Sequence, residues 1–514
     1  MRIGFANIYA WRPHTTHALY LADMLSQKDY RLEYLLCRAN LTHCYNLGLK
    51  NSSKLKECPR CITGGLASYV DGGITNLSKK SSSNGEIDFK TVAASSVATM
   101  QRIEDPSERQ TTRFEHALGK YRGSIETTYR STRQWIRDKQ LDAVLCFNGR
   151  IDHTSAVIKA CEDAGITFVT HERSQFGDGI QLVPNGNCLS LASYSKMAAE
   201  YGNHPLTKEQ ATIAARIGSR RFLGSSSGEW RTYNNAAKSR SWPISDTRRR
   251  VLILPSSHGE ILGEKDWETS WPTAVDAFEW LITRLAIRPN EVVVRFHPVW
   301  AQKIGSVDGD HISAYFEKWC REKGYYFLPA DGDVSTLDLI SSADEVLLTH
   351  SSAALEAGLL GKSVYSVTPS YKTTGFVKSF VSPSDFDAAL ANAVLDRSEI
   401  IRRTLRHIYF VARRYPQFCG SVQAVSPSQY NFFGGASSER LERIIRTGEL
   451  LADDATFSSS LDGENVVISE IEARNWLSFA EQRSEPREGA LIRRRRYGLD
   501  NILRWRELLP AADR

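Results

Sequence analysis

Strand-to-loop junctions in the second half of the chain carry residue types suited to holding a phosphate. In EVLLTHSSAALEAGLLGKSVYSV an apolar run delivers Thr349, His350, Ser351 and Ser352 to its end, where a helical pattern begins. Small hydroxyl residues there leave backbone N–H groups unblocked, and those groups with the helix dipole favour an anion. Glu356 falls one turn further on the side of Ser352, where a carboxylate can accept both hydroxyls of a ribose. The run EVVVRFHP ends in Arg295-Phe296-His297-Pro298. Pro298 stops the strand and pins His297 at the sheet edge. Strand alternation puts Arg295 on the same face, as a charge beside an imidazole donor. After VLILP, Ser256, Ser257 and His258 occupy the corresponding first loop. Each feature alone has a plainer reading, as a helix cap or a strand-terminal histidine satisfied by backbone. Together, in successive elements of one half, they point to a shared nucleotide ligand.

The first half offers the groups that would act on an acceptor. Asn148-Gly149-Arg150 ends an apolar strand, with Asp152 and His153 directly after it. His171-Glu172-Arg173 ends the next strand and runs into SQFGDG. Transfer to a hydroxyl needs a carboxylate to take its proton; Glu172 is the first choice and Asp152 the second, although Glu172 beside Arg173 also reads as a structural ion pair. His14 and His17, three residues apart, share a helix face and could line the same cleft with Asn148 and Arg150. Asp331-Gly332-Asp333 reads as a turn, so the reaction is expected to need no bound metal and no cofactor. The spacing Cys58-Pro59-Arg60-Cys61, with Cys37 and Cys44 upstream, leaves a structural zinc as a weaker reading.

Behind these residues lies an alternation of strand and helix. Residues 3–9 and 31–37 read as strands around a helix from His14 to Ser26, the opening of a doubly wound sheet. A Cys-, Gly- and Ser-rich excursion covers 40–95, and a long polar helical region covers roughly 98–140. Strands at 141–149 and 166–172 flank a helix at 153–165. A second series alternates from 251 to 367, with its last strand at 363–367. The expected organisation is a Rossmann-like domain over 1–235, a second Rossmann-like, nucleotide-binding domain over 236–425 and a helical C-terminal extension over 426–514.

Composition narrows the classes. The 514 residues suit two domains, and 41% hydrophobic with 24% charged content is that of a folded, water-soluble chain. Net charge is only +6, and no helix-turn-helix, zinc-finger or RNP pattern accompanies it, so a nucleic-acid partner is not expected. Basic residues cluster at Arg248 to Arg250 and at Arg493 to Arg496. The second run precedes LDNILRWRELL, which reads either as a helix docked on the protein or as a peripheral membrane contact. With no apolar run for a signal peptide or a bilayer span, the reading is cytoplasmic, at most peripheral to the membrane. Nine cysteines fit reduced thiols.

The pair His297-Pro298, followed about fifty residues later by SSAALEAGLLGK, resembles bacterial capsule-polysaccharide glycosyltransferases. Nearest are the capsule-synthesis Kdo transferases, and more distantly the sialyltransferases with HP and SS motifs. The resemblance covers 251–370 well and parts of 1–180 loosely. It implies a GT-B fold, two Rossmann-like domains facing a cleft, with the nucleotide in the C-terminal domain. It also implies that His297 contacts the donor phosphate, Ser351 and Ser352 its phosphate region, and Glu356 the ribose. The donor would be a CMP-, UDP- or GDP-linked sugar and the acceptor a polysaccharide or lipid-linked glycan. Asn148-Gly149 and Glu172 look like that family's N-G and E-x-G positions, with Arg173-Ser174 departing from the glycine. Alternatives of the same fold are a sugar-nucleotide 2-epimerase and a teichoic-acid-type phosphoalcohol transferase; a non-catalytic assembly scaffold is the alternative from another class.

Overall fold

The computed structural model describes residues 1–66, 72–79, 85–225, 241–245, 249–386, 395–481, 487 and 489–492. Two six-stranded sheets organise the chain. The first holds β1 (Arg2–Asn7), β2 (Arg31–Leu36), β3 (Gly73–Asn76), β4 (Ala143–Phe147), β5 (Thr167–Ser174) and β6 (Gly177–Pro184), in the order β3-β2-β1-β4-β5-β6. The second holds β7 (Val251–Leu254), β8 (Val292–Arg295), β9 (Tyr326–Leu328), β10 (Glu345–Leu348), β11 (Ser363–Ser366) and β12 (Val377–Ser379), in the order β12-β11-β10-β7-β8-β9. Renumbered within its own sheet, each follows the strand order of a doubly wound nucleotide-binding sheet. All pairings are parallel except β5 with β6. The expected two-domain, Rossmann-like α/β architecture is therefore present.

The central strands are central because of what they are made of. β4 (AVLCF) and β7 (VLIL) are buried at every position, which a strand covered by helices on both faces requires. The flanking helices are fixed by ordinary end signals. Thr111 caps the long helix Thr112–Lys139 by accepting the Phe114 N–H, and Gly165 ends Asp152–Ala164 in the left-handed region. Thr207 and Gln210 form a reciprocal capping box on Lys208–Phe222.

Several boundaries differ from the sequence reading. The excursion over 40–95 returns to the sheet, because β3 within it pairs with the edge of β2. β6 falls in a stretch read as loop: Gly177 and Gly179, at φ 102° and 79°, turn the chain so that Ile180 and Leu182 fold back against β5. β12 extends the second sheet beyond the strand taken as its last. Helix Lys208–Phe222, expected in the first domain, buries Ala211, Ala214, Ala215 and Ile217 in the second domain's core with Val346, Leu348 and Leu355.

Nor is 426–514 one appended unit. The hairpin β13 (Val422–Ser426) and β14 (Gln429–Phe432) and the helix Ser438–Thr447 place Val422, Phe432, Leu441 and Ile444 in the first domain's core with Phe5 and Leu145. The helices Asp462–Glu472 and Trp476–Ala480 then put Val467, Ile468 and Phe479 in the second. The segment 452–464 is fastened through Asp453 to Arg440 and through Asp454 to Gln210 and Tyr409. Arg248, most of the stretch 225–250 around the expected domain boundary, the run Arg493 to Arg496 and the terminal LDNILRWRELL lie outside the described residues. Among the described residues no helix is long and apolar enough to cross a membrane.

Glu464 ties these late helices down. Fully buried, it accepts from Arg406 at 2.7 and 2.8 Å, from Arg402 at 3.2 Å and from the Leu206 N–H at 2.9 Å. Removing one partner of a buried ionic cluster leaves the other charges uncompensated, at a cost of about 3–5 kcal/mol. Glu464→Ala is thus expected to lower stability by about that amount in denaturant unfolding; a loss below about 1 kcal/mol would place the cluster with ordinary surface pairs.

Candidate active site

In doubly wound sheets a ligand sits beyond the carboxyl ends of the strands, where the strand order reverses. In the second sheet that point lies between β7 and β10. A cleft of about 400 Å³ opens there, walled by Ser256 and His258 after β7, Thr349 and His350 after β10, and Thr368 after β11. Trp267, Trp271 and Glu264, on the loop between β7 and the helix Ala274–Arg284, and Tyr315 extend the wall. Glu104 and Arg109, from the first half of the chain, close the other side.

The loop after β7 is anchored across the domains. Both oxygens of Glu104 accept from the His258 N–H, at 2.8 and 3.0 Å. Arg150 Nη1 donates to the Glu260 carbonyl at 3.0 Å, Asn187 Nδ2 to Glu264 at 2.7 Å, and Trp267 Nε1 to the Leu189 carbonyl at 2.8 Å.

Burial dominates the electrostatics. It pushes the Glu104 carboxyl up to about 8, against the opposing hydrogen bond from His258, so Glu104 keeps its proton at neutral pH. Burial, then the Arg109 charge, takes His258 down to about 4; burial also lowers His350 and raises Glu264. The imidazoles are thus neutral. Ser256 Oγ and His350 Nδ1 are buried without a hydrogen-bond partner. Such atoms cost roughly 1–3 kcal/mol each unless a ligand or water meets them.

Of the donor-side residues expected from sequence, Ser256 and His258 reach this cleft. Ser257 stands behind it, accepting from Trp300 Nε1 at 3.1 Å. His297 lies at the same sheet edge, half-buried, with Nδ1 accepting the Val299 N–H at 3.1 Å, so its proton resides on Nε2. It is not among the residues walling the cleft. Arg295 plays a different part, because its side chain is buried and its guanidinium donates to the carbonyls of Pro329 and Gly332, fastening the turn after β9. Ser351 Oγ accepts from the Ala353 N–H, the local cap that was its plainer reading. Ser352 and Glu356 are taken by Arg221, whose Nη2 donates to Ser352 Oγ at 3.0 Å and to Glu356 Oε1 at 2.8 Å. Glu356 is 4% exposed and forms a buried ion pair instead of waiting for a ribose. The helix it stands on, Ala353–Leu359, has only seven residues, too short for a sizeable dipole.

On the first sheet, Asn148 and Glu172 come together at the carboxyl ends of β4 and β5. Asn148 Nδ2 donates to Glu172 Oε2 at 3.0 Å, and its Oδ1 closes the turn before the next helix by accepting from the N–H groups of Arg150 and Ile151. The Arg173 N–H donates to Glu172 Oε1 at 3.0 Å, and His14 Nδ1 lies 3.4 Å from the same oxygen. The carboxyl, 20% exposed, is raised by burial, with Asn148 and the Arg173 N–H opposing. Asp152, the second choice of base, is excluded by position. It has no exposed surface, accepts from Tyr9 Oη and from the N–H groups of Tyr45 and His153, and serves the helix start. Arg150 is bound to Ser95 and Thr99 within the first domain and to the Glu260 carbonyl across to the second, rather than facing an acceptor. His14 and His17 are 6% and 0% exposed, packed inside the first domain.

The four cysteines do line one small cavity, with Glu57 and Leu41, but the helix Lys54–Leu66 spreads Cys58 and Cys61 along its side. Among the described residues, the group of three metal-ligating side chains with donor atoms within 4.8 Å of one another is His14, His17 and His171; no such group includes a cysteine. The cysteine zinc reading gains no support from this geometry.

Sequence reasoning missed Glu104, Arg109, Glu264, Trp267 and Trp271 as a set. The two tryptophans in WETSWPT, between a buried strand and a helix, were the signal that could have found them; Glu104 sits in a polar stretch with none.

No family model matches the chain, and no curated protein matches it in sequence. Among solved structures, KpsC, a beta Kdo 2,4 transferase of Thermosulfurimonas dismutans, is 14% identical over 64% of this chain and 87% of its own, with a TM-score of 0.32. UDP-GlcNAc 2-epimerase of Methanocaldococcus jannaschii, in complex with UDP-GlcNAc and UDP, is 11% identical over 87% and 99%, with a TM-score of 0.27. The Streptomyces glycosyltransferase SsfS6 is 12% identical over 80% and 96%, with a TM-score of 0.22.

Glu104 gives the interface a pH dependence. The folded protein holds a proton there that the unfolded chain gives up in the ordinary carboxylate range, so this contribution is full at low pH and lost as pH rises through about 8. Its slope reaches at most about 1.4 kcal/mol per pH unit. Urea midpoints of wild type and Glu104→Gln, measured from pH 5 to 8, should diverge in that direction, the variant losing less stability; parallel curves would show Glu104 ionised in the fold.

Proposed function

We propose that the chain is a glycosyltransferase that binds a nucleotide-sugar in the cleft between its two sheets and passes the sugar to a polysaccharide or lipid-linked glycan hydroxyl. One observation carries the reading. At the point where the second sheet's strand order reverses, indole rings, hydroxyls and neutral imidazoles converge, with Ser256 Oγ and His350 Nδ1 lacking partners. Trp267 and Trp271 offer faces to a base or a sugar. The hydroxyls of Ser256 and Thr349 and the rings of His258 and His350 donate to phosphate oxygens, with Arg109 as the cation.

In the reaction the bond between the anomeric carbon and the phosphate oxygen breaks, and the nucleotide leaves with that electron pair. The donors around the cleft meet the charge that develops on the phosphate, which is worth most in a site that excludes water. The acceptor oxygen forms the new bond to the anomeric carbon, and its proton passes to Glu172, held in place by Asn148 and the Arg173 N–H. Asn187, beside Cys188, carries Glu264 of the cleft wall, while Cys188 Sγ accepts from Asn148. The base and the donor pocket are thus joined through one short loop.

A second reading, sugar-nucleotide 2-epimerisation, is favoured by Glu104 and Glu264, two carboxyl groups on the cleft wall that burial raises. Two proton-handling groups across one sugar are what an epimerase needs.

Thermal-shift titration with CMP, UDP, GDP and ADP should give one nucleotide that stabilises the protein, with His350→Ala weakening it about tenfold or more, as expected for a lost hydrogen bond to a charged group. No shift with any of them would remove the donor site. With the donor nucleotide-sugar, Glu172→Gln should lower kcat by about 10²- to 10⁴-fold with donor affinity unchanged. Nucleotide release that requires the acceptor supports transfer, whereas a changed sugar still attached to its nucleotide would support epimerisation.

A further inference from the structure

Inside the first domain, beside Glu172, three imidazoles meet. His14 and His17 stand three residues apart on the helix His14–Ser26, and His171 comes from β5. One donor nitrogen of each lies within 4.8 Å of the others, and the side chains are 6%, 0% and 2% exposed. We propose that this cluster is a metal site, binding one divalent cation of the zinc type through the three imidazoles, with its fourth position toward Glu172.

The donor chemistry fits. Imidazole nitrogens beside a carboxylate suit zinc and its first-row neighbours rather than calcium or magnesium. Zn–N bonds of about 2.0–2.1 Å at tetrahedral angles put the nitrogens about 3.4 Å apart, so closing a 4.8 Å cluster moves each by less than about 1 Å. A metal needs its histidines neutral, and the burial of all three disfavours the charged form. His171 Nδ1 is buried with no hydrogen-bond partner, a cost that coordination in the cluster offsets.

The surroundings are those of a built site. Glu172 Oε1 stands 3.4 Å from His14 Nδ1 and is itself fixed by the Arg173 N–H and, through Oε2, by Asn148. A hydrogen-bonded carboxylate next to a metal-bound imidazole is the usual means of orienting the ring. Glu172 also supplies a negative charge against the ion and against Arg173, whose charge reaches His14. Phe147 packs on His14 at 3.8 Å between ring centroids and Tyr430 on His17 at 4.6 Å, an apolar shell that keeps water from the ligands. Because Tyr430 lies on β14, the ion would join the first helix, β5 and the returning C-terminal hairpin at one point.

The inference stands apart from sugar transfer, since metal binding is read without turnover. Full-length protein is stripped with EDTA, dialysed, incubated with Zn²⁺ and desalted, and its metal is counted by elemental analysis. About one retained ion per chain is expected, and so is a d–d absorption of four-coordinate type with Co²⁺. His14→Ala and His171→Ala should each weaken Zn²⁺ binding at least a hundredfold, while Cys58→Ser with Cys61→Ser leaves it unchanged. If the histidine variants do not fold, zinc-edge X-ray absorption on the wild type decides: a first shell of nitrogen and oxygen with imidazole scattering supports the site. Less than a tenth of an equivalent retained by wild type, sulfur in the first shell, or full retention by the folded histidine variants would overturn it.

Discussion

The loop that follows β7 is held by the other domain along nearly its whole length, and the cleft exists because of that. Glu104 takes the His258 N–H, Thr99 donates to the Gly259 carbonyl, Arg150 reaches the Glu260 carbonyl, and Asn187 and Leu191 hold Glu264 and Asp266. Gly259 shows how close the approach is: a Cβ there would meet the Ala98 carbonyl oxygen at 3.0 Å and that of Ile103 at 3.3 Å. Backbone packs on backbone at that point. The same loop supplies His258, Glu264 and Trp267 to the cleft, so the wall of the site and the joint between the domains are one piece of chain. Opening the domains like a hinge would break these bonds together. A ligand is therefore admitted most cheaply through the cleft as it stands.

The chain also crosses between the domains more than once. Helix Lys208–Phe222 completes the second core, the hairpin and helix from Val422 to Thr447 return to complete the first, and the helices after Leu461 go back to the second. Phe432 and Ile444 sit in the same cluster as Phe5 and Leu145, so the first sheet lacks part of its cover until more than 400 residues have been made. Each domain's stability depends on segments far off in sequence, which ties the joint to both cores.

That dependence explains what could be read from the sequence and what could not. The central strands were legible because burial on both faces forces uninterrupted apolar runs such as VLIL and AVLCF, and the crossover helices because they repeat an apolar face. β6 was not, since its turn depends on Gly177 and Gly179 and its register on pairing with β5. Ser256 and His258 were legible from their place after the first strand of the second half. Glu104 was not: its environment is made by His258, about 150 residues away. The errors at Arg295 and Glu356 have similar causes. Alternation placed Arg295 on a face correctly, but its long side chain reaches the carbonyls beyond β9. The partner of Glu356, Arg221, stands on the helix that sequence assigned to the other domain.

Around the cleft, burial has moved the titratable groups toward their uncharged forms: Glu104 and Glu264 upward, His258 and His350 downward. A pocket built this way meets an anion with dipoles and N–H donors rather than with a row of counter-ions. Packing several cations into so small a volume would add their mutual repulsion to the cost of dehydrating each one, whereas neutral donors avoid both. Donors fixed by the fold also need no reorganisation when charge grows on a departing phosphate. Arg109 then suffices as the cation of the wall, and the neighbouring protonated Glu104 leaves that charge available to the ligand instead of cancelling it. Glu104 thus serves two ends at once: its oxygens anchor the loop after β7, and its burial keeps a counter-charge out of the cleft.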